Sequence, residues 1–151
     1  MTTQVAETRL EKEYVRIYFH NLHHIHPLLD VAQFTARCEG QIWNSSPSAR
    51  LREDRMHFFA LYNIVVAVGA LIAGPDVSQQ FERDLNICAR RLQSPRDQSQ
   101  IISSQKLSKI YFWKARSLLG DVFEVCSIES AQTHFLMVSN GSQAQRLFAK
   151  Y

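Results

Sequence analysis

One segment constrains the fold of this chain more than any other. The run from Phe58 to Ala73 is apolar on nearly every side of a helix, and Asn63 alone interrupts it. A helix of this kind is surrounded by other helices in a protein core or by lipid in a membrane. The uninterrupted part is shorter than the roughly 20 residues that a bilayer span requires. We therefore predict a buried central helix and no membrane association.

The limits of the central helix follow from its flanking residues. We place its start near Ser48 or Ala49 and its end at residue 73, because Gly74-Pro75 cannot continue a helix. Gly69 and the small residues near it would let the backbone of a second helix approach closely. We expect the other helices to pack around this one.

The remaining apolar residues also recur at helical spacings, and no stretch alternates apolar and polar residues as a strand does. We predict an all-α fold, a multi-helix bundle or array of about five to seven helices. Besides the central helix, the predicted helices are Thr8 to about Leu22, Asp30 to Cys38, Asp76 to Leu92, Ser99 to Leu119 and Glu129 to Val138.

Proline, glycine and asparagine set the predicted helix ends. Pro27 excludes His26 from helical geometry, so the first helix should end near residue 24. Gly40 and Gly120 are candidate terminators of the helices that precede them. Asn140-Gly141 is a turn signal within a divergent tail, residues 139–151, and beyond it Ser142 to Tyr151 form either a frayed helix or an unrelated tail.

The composition favours one soluble domain over residues 1–151. Of the 151 residues, 46% are hydrophobic and 21% are charged, which is enough to bury a modest core. The chain has three cysteines, Cys38, Cys88 and Cys126, which lie far apart in the sequence. No apolar signal segment opens the chain. We therefore expect free thiols in a reducing compartment rather than secretion.

Four histidines cluster near the end of the first predicted helix, at His20, His23, His24 and His26. Imidazoles on one helix face can bind a divalent metal. Among the nearby carboxylates and cysteines, Asp30 alone follows the spacing of a known metal site, so the signal is weak. Histidines that cap the helix end or face solvent explain the cluster as well, and we predict no metal ion or other cofactor in this chain.

Catalytic motifs are absent from the sequence. Cys126 and His134 are a candidate nucleophile and base, but a predicted turn separates them, and buried cysteines are usually inert. The chain contains no glycine-rich phosphate loop, HExxH or GxSxG. We predict that the protein is not an enzyme.

Basic residues are concentrated in one part of the chain, where seven of them accompany a single acidic residue, Asp97. They are Arg90, Arg91, Arg96, Lys106, Lys109, Lys114 and Arg116, interleaved with Tyr111, Phe112 and Trp113. Such a stripe could bind phosphates, with the aromatic rings stacking on bases. We favour the other interpretation, a solvated face whose aromatic rings turn inward.

A more specific pattern occupies Tyr18 to Phe34, where an aromatic-rich helix end precedes a proline-stopped turn. The residues that define it are Tyr18, Phe19, His23, Pro27, Leu28, Leu29 and Phe34. Their order and spacing resemble the opening of the middle homology region, the regulatory domain of fungal zinc-cluster transcription factors.

Two later segments are similar to the same domain. The first, Ala60 to Gly74, resembles its small-residue-rich buried helix. The second carries Tyr111, Ala115, Arg116, Leu118, Leu119, Ser130, Gln132 and the apolar run from Phe135 to Val138. The resemblance extends over about residues 14–138 and breaks in the tail, so the chain is expected to correspond to the N-terminal part of that helical domain.

This resemblance implies a regulatory role in the nucleus. In such factors the domain is thought to restrain or relay activation, sometimes through a small apolar effector or a coregulator protein. DNA reading in the family belongs to a separate segment in which six cysteines hold two zinc ions, and the three scattered cysteines here cannot form it. DNA binding would therefore require a zinc-cluster segment that this sequence does not contain.

The candidate lining of an apolar effector pocket comes from three predicted helices. It consists of Phe58, Phe59, Tyr62, Val66, Phe112, Trp113, Phe135 and Met137. The same residues equally suit an ordinary core. Two alternative interpretations remain: a standalone interaction module, which would act as a homodimer or compete for dimerisation, and a truncated product without its own activity. Outside the nuclear role, we expect the protein in the cytoplasm.

Overall fold

The computed structural model describes residues 3–46, 55–92, 103–120 and 127–148. Within these ranges the chain forms seven α-helices and no strand, so the predicted all-α multi-helix fold is confirmed. The helices are α1 (Thr3–Asn21), α2 (Val31–Cys38), α3 (Met56–Ile72), α4 (Pro75–Gln80), α5 (Glu82–Leu92), α6 (Ser104–Leu118) and α7 (Ile128–Phe148). A short π-helical segment, Glu39–Trp43, continues α2.

The central helix α3 is surrounded by the others, as its apolar pattern predicted. Every residue from Ala60 to Leu71 is buried. The helix packs most extensively against α6, and then against α1 and α7. The side-chain amide of Asn63 donates a hydrogen bond of 2.7 Å to the carbonyl oxygen of Phe59, so this buried polar group is satisfied within the helix. None of the helices in the described ranges combines the length and hydropathy that a membrane crossing requires.

A glycine allows α1 and α3 to approach until their backbones touch. A Cβ atom placed on Gly69 would collide with the carbonyl oxygen of Tyr14 and would lie 2.6 Å from its carbonyl carbon. Only glycine fits at such a distance, because it has no Cβ atom. The predicted close approach of a second helix is confirmed at this position.

The helix α2, Val31–Cys38, agrees with the prediction of Asp30 to Cys38, but the chain stays helical beyond it, through the candidate terminator Gly40. The carboxylate of Asp30 accepts a hydrogen bond of 2.8 Å from the backbone amide of Gln33, which caps the helix. Gly40 does not terminate it, because the chain continues with π-helical geometry and buries Ile42. Burying an isoleucine is worth about 1.5–3 kcal/mol, which exceeds the about 0.5–1 kcal/mol that a glycine costs inside a helix.

The segment after α3 forms two helices where we predicted one. The central helix ends at Ile72, and Gly74 then serves as the N-cap of α4. Pro75 occupies the first turn of α4, where its missing N–H has no helical partner to lose. The prediction of one continuous helix over 76–92 is wrong, since Phe81 separates α4 from α5 with a φ of −107°.

The last two helices include one confirmed end and one wrong prediction. Gly120, just beyond α6, has a left-handed φ of 61°, which glycine adopts without strain. In contrast, α7 continues through Asn140-Gly141 to Phe148, so the predicted turn is wrong. The two residues together cost about 1–2 kcal/mol in helix propensity, which the other hydrogen bonds of a long helix can offset. The predicted start of the central helix and the first residues of the helix predicted from Ser99 lie outside the described residues.

The hydrophobic core is one continuous cluster to which α1, α2, α3, α5, α6 and α7 contribute. Four tyrosines are buried in it, namely Tyr14, Tyr18, Tyr62 and Tyr111. The hydroxyls of three of them, Tyr14, Tyr62 and Tyr111, form hydrogen bonds with polar side chains inside the core, which offsets the cost of burying them.

Candidate ligand site between α2, α3 and α7

Two of the three segments that carry the family resemblance, the first and the last, meet just before α2. The side-chain amide of Gln132, in α7, donates a hydrogen bond of 2.7 Å to the backbone carbonyl oxygen of Leu28. Beside this contact, the ring of Phe19 lies 5.2 Å from that of His23 and 5.5 Å from that of Phe34. Motif residues that are 104 positions apart in the sequence therefore lie together in the fold.

A cavity of about 400 Å³ lies next to this contact, between α2, α3 and α7. Its apolar lining consists of Leu29, Phe34, Phe58, Leu61 and Ile128, and its polar lining of Asp30, Gln33, Arg37, Glu129 and Gln132. The apolar side chains other than Ile128 are buried, whereas Ile128 is 75% exposed at the rim. Pockets that bind small molecules span roughly 300–1,000 Å³. The cavity is therefore a candidate ligand site.

One ion pair on the polar side of the cavity ties α2 to α7. The guanidinium Nη1 atom of Arg37 lies 2.9 Å from Oε1 of Glu129. The same guanidinium lies 3.9 Å from the ring centroid of Phe58, which adds a cation–π contact. Burial acts to raise the pKa of Glu129, but hydrogen bonds from its own backbone and from Arg37 outweigh burial and lower that pKa. The carboxylate therefore stays charged at neutral pH.

Four of the eight predicted pocket residues lie in α3, namely Phe58, Phe59, Tyr62 and Val66. Phe58 lines the cavity. Phe59 stacks on the ring of Tyr62 at 6.3 Å, and both Tyr62 and Val66 are fully buried in the core. For Tyr62 and Val66, the interpretation as ordinary core residues fits their surroundings.

The other four predicted residues lie on α6 and α7. Phe112 and Trp113 meet edge to face at 6.1 Å, and Trp113 is 60% exposed. Phe135 is 44% exposed and contacts the ring of His26 at 5.6 Å, while Met137 packs against the core. In the described part of the chain, the eight residues do not line one common cavity.

The remaining motif residues contribute packing. Tyr18 is 1% exposed, and its burial raises its pKa to about 12. Within the described ranges, neither the hydroxyl of Tyr18 nor Nδ1 of His23 has a hydrogen-bond partner. Ala115 is fully buried, and the guanidinium of Arg116 lies 5.2 Å from the ring centroid of Trp113. These side chains support the helices around the cavity without lining it.

A buried polar cluster, which we call the Glu11 cluster, lies elsewhere in the core and consists of Glu11, Trp43, Tyr62 and Tyr111. The hydroxyls of Tyr62 and Tyr111 each donate a hydrogen bond of 2.8 Å to a different carboxylate oxygen of Glu11. The indole Nε1 of Trp43 donates to the hydroxyl of Tyr62 at 3.0 Å. The cluster links α1, α3, α6 and the π-helical segment through one carboxyl group.

Burial controls the ionisation of the Glu11 cluster. Glu11 is 4% exposed, and burial, reinforced by the nearby Glu7, raises its pKa although the tyrosine hydrogen bonds act in the opposite direction. Burial likewise raises the pKa values of Tyr62 and Tyr111 well above their ordinary range. Our sequence analysis missed Glu11, although its position three residues before Tyr14 places it on the buried face of α1.

Several of the described histidines and cysteines make packing or hydrogen-bond contacts with nearby residues. His23 packs near the rings of Tyr18 and Phe19, and Nδ1 of His134 lies 2.6 Å from the carbonyl oxygen of Ser130. Among the described residues, no group of three side chains could hold a metal ion. Cys38 and Cys88 are buried, and burial raises both pKa values to about 12. Cys126 lies outside the described residues.

Several residues of the basic stripe contact other protein groups. Arg91 and Lys114 both form ion pairs with Glu7, and the ammonium group of Lys114 lies 4.5 Å from the ring centroid of Tyr111. Arg96 lies outside the described residues.

The cavity between α2, α3 and α7 is the candidate site that best combines concave shape with polar groups. Comparisons of the chain with protein-family models, with curated proteins and with solved structures found no match.

Proposed function

We propose that this chain is a non-enzymatic regulatory domain of the kind found in fungal zinc-cluster transcription factors. It acts in the nucleus by responding to an effector or a coregulator protein, and it influences transcription without reading DNA. The observation that carries the proposal is the convergence of three motif residues, Leu29, Phe34 and Gln132, on one cavity.

The contacts around the cavity suggest how a ligand would act on the fold. The Arg37–Glu129 ion pair and the hydrogen bond from Gln132 to Leu28 both join α7 to the part of the chain around α2. A ligand that fits one arrangement of these two parts better than another shifts the population toward the arrangement it prefers. Binding in the cavity is thereby coupled to the position of α7.

The surroundings of the ionisable core residues support a non-enzymatic role. Glu11, Tyr62 and Tyr111 are each at most 4% exposed, so a substrate has no path to them. The thiols of Cys38 and Cys88 are buried with pKa values of about 12, which leaves almost no thiolate near neutral pH. These groups serve the packing of the core.

A reporter experiment tests the regulatory role. The chain is fused to a DNA-binding module of known target, and transcription is measured for the module alone, for the fusion, and for a Gln33→Trp fusion. Residue 33 is exposed at the cavity mouth, so the indole would block the cavity without entering the core. Gln33→Ala is the matched control.

We expect the wild-type chain to change reporter output, the tryptophan variant to alter that change, and the alanine variant to retain it. Equal output from the module with and without the chain would contradict the regulatory role. The isolated chain should also cause no mobility shift of a DNA duplex in a native gel at physiological salt. Non-specific contacts to phosphates weaken steeply as the salt concentration rises.

An exposed apolar stripe on α7 favours the second candidate, a protein-interaction module. Ile128, Phe135 and Val138 are 75%, 44% and 75% exposed, and their spacing places them on one face of the helix. Light scattering separates the candidates. A defined dimer that Val138→Ser converts to a monomer would favour the interaction module, whereas a monomeric wild-type chain would count against it and against a truncated, self-associating product.

A further inference from the structure

The cavity between α2, α3 and α7 has an apolar floor and a charged rim on different sides. Leu29, Phe34, Phe58 and Leu61 form the floor and are at most 7% exposed. Asp30, Arg37 and Glu129 supply the charges of the rim. A ligand that fills the cavity therefore needs an apolar body and a polar or charged head, and the rim determines the sign of the head.

The charges of the rim do not cancel. Arg37 is already paired with Glu129 at 2.9 Å, and the lowered pKa of Glu129 keeps that pair ionised. Asp30 is the second carboxylate, and its described contact is the cap hydrogen bond that its Oδ1 atom accepts from the amide of Gln33. One negative charge therefore remains at the rim. The Oδ2 atom of Asp30 can accept a hydrogen bond from a donor in the cavity.

Arg37 is not free to bind an anionic head. Its guanidinium is paired with Glu129 and lies 3.9 Å from the ring centroid of Phe58, which meets the ring of Phe34 edge to face at 5.6 Å. A ligand carboxylate would compete with Glu129 for Arg37 and would approach the charge of Asp30. The lining thus attracts a cation and repels an anion.

We infer that this cavity binds a small amphipathic amine, with an aromatic or aliphatic body on the floor and a protonated nitrogen between Asp30 and Glu129. This inference deepens the proposed function and rests on it for its regulatory meaning. The amine is the effector, and its head binds beside the ion pair that ties α2 to α7.

Three probes that share a phenyl ring on a three-carbon chain test whether the cavity prefers a positive, neutral or negative ligand head. They are 3-phenylpropylamine, 3-phenylpropanol and 3-phenylpropionate, and their dissociation constants for the whole chain are measured by calorimetry or chemical-shift titration at pH 7 and low salt. We expect the amine to bind about fivefold more tightly than the alcohol, because the charged rim is partly exposed to water, and the carboxylate to bind most weakly. Equal binding of all three, tighter binding of the carboxylate, or no binding of the amine up to its solubility would overturn the inference.

Two substitutions locate the binding. Asp30→Asn keeps the helix cap, since asparagine caps as well as aspartate, and removes the charge. It should bring the affinity for the amine down to that for the alcohol and leave the alcohol unchanged. Gln33→Trp should abolish binding of the amine and of the alcohol, whereas Gln33→Ala should not. Amine binding that neither Asp30→Asn nor Gln33→Trp reduces would place the probe elsewhere and overturn the inference.

The reporter fusion separates this inference from the proposed function. If the amine binds in the cavity and leaves reporter output unchanged in every fusion, the ligand class stands and the regulatory role fails. If the chain regulates the reporter but the amine does not bind, the regulatory role stands and the ligand class fails.

Discussion

The side-chain amide of Gln132 donates a hydrogen bond of 2.7 Å to the backbone carbonyl oxygen of Leu28, which lies 104 positions earlier in the sequence. This contact joins α7 to the turn that precedes α2. It also fixes one corner of the cavity, because Gln132 and the next residue after Leu28, Leu29, both line it. This polar contact between distant segments therefore holds the candidate site together alongside the Arg37–Glu129 ion pair.

Replacement of Gln132 by leucine should destabilise the fold and loosen α7. The variant keeps most of the side-chain volume but removes the hydrogen bond, and a lost hydrogen bond of this kind costs about 1 kcal/mol. Urea denaturation measures the change in the free energy of unfolding. Gln33→Leu serves as the control, because the amide of Gln33 is exposed and the change there should be close to zero. Equal stability of the two variants would show that the Gln132 contact is not formed in solution.

Gly69→Ala should destabilise the protein by about 3 kcal/mol or more, because the added methyl group would collide with the backbone of Tyr14 and force α1 away from α3. Gly40→Ala is the matched control. No atom lies within 4 Å of a Cβ placed there, and its backbone is helical, so we expect a gain of about 0.5–1 kcal/mol. Thermal unfolding of both variants checks the opposite signs. A mild effect at Gly69 would mean that the two helices are not in backbone contact.

Glu11→Gln should make stability less dependent on pH. Burial raises the folded-state pKa of Glu11 above its unfolded value, so its stabilising contribution is fully present below about pH 4.5 and is lost as the pH rises through the folded pKa. Glutamine retains an acceptor and a donor for Tyr62 and Tyr111 without an ionisable proton. The stability of the wild type relative to Glu11→Gln should therefore fall between pH 5 and pH 8.

Urea denaturation at several pH values measures this difference for each protein. Tyr111→Phe is a useful companion, because it leaves one oxygen of the buried carboxyl group without its hydrogen bond and should destabilise the fold by about 1–3 kcal/mol. A constant difference between the wild type and Glu11→Gln across this pH range would contradict the raised pKa.

Cys38 and Cys88 should react very slowly with a thiol reagent in the folded protein. Both are at most 2% exposed, and with pKa values of about 12 only about one thiol in ten thousand is ionised at pH 8. The measurement uses a Cys126→Ser protein and follows colour development with DTNB, first in buffer and then in urea. We expect two thiols to react after unfolding and almost none before it. Rapid reaction in buffer would indicate that the core opens at α2 or α5.

The local sequence was enough to predict those helices and helix ends at which the local sequence signal and the tertiary packing favour the same structure. The apolar run of α3 leaves no side that could face water, so burial of this helix followed from composition alone. The helix end beside the left-handed Gly120 also followed from local chemistry. In contrast, neither Gly40 nor Asn140-Gly141 interrupts helical geometry, because each of these signals is worth only about 1 kcal/mol and neighbouring packing or helix hydrogen bonds exceed it.

The sequence by itself therefore determined the helical class, the buried centre and the motif residues, since these depend on side-chain chemistry and on spacing within one helix. Only the tertiary structure decided which motif residues meet. The contact of Gln132 with Leu28, the pairing of Arg37 with Glu129 and the cavity between them arise where segments about 100 residues apart pack together. Helical periodicity indicates which face of a helix is buried, but it carries no information about which other helix will cover that face.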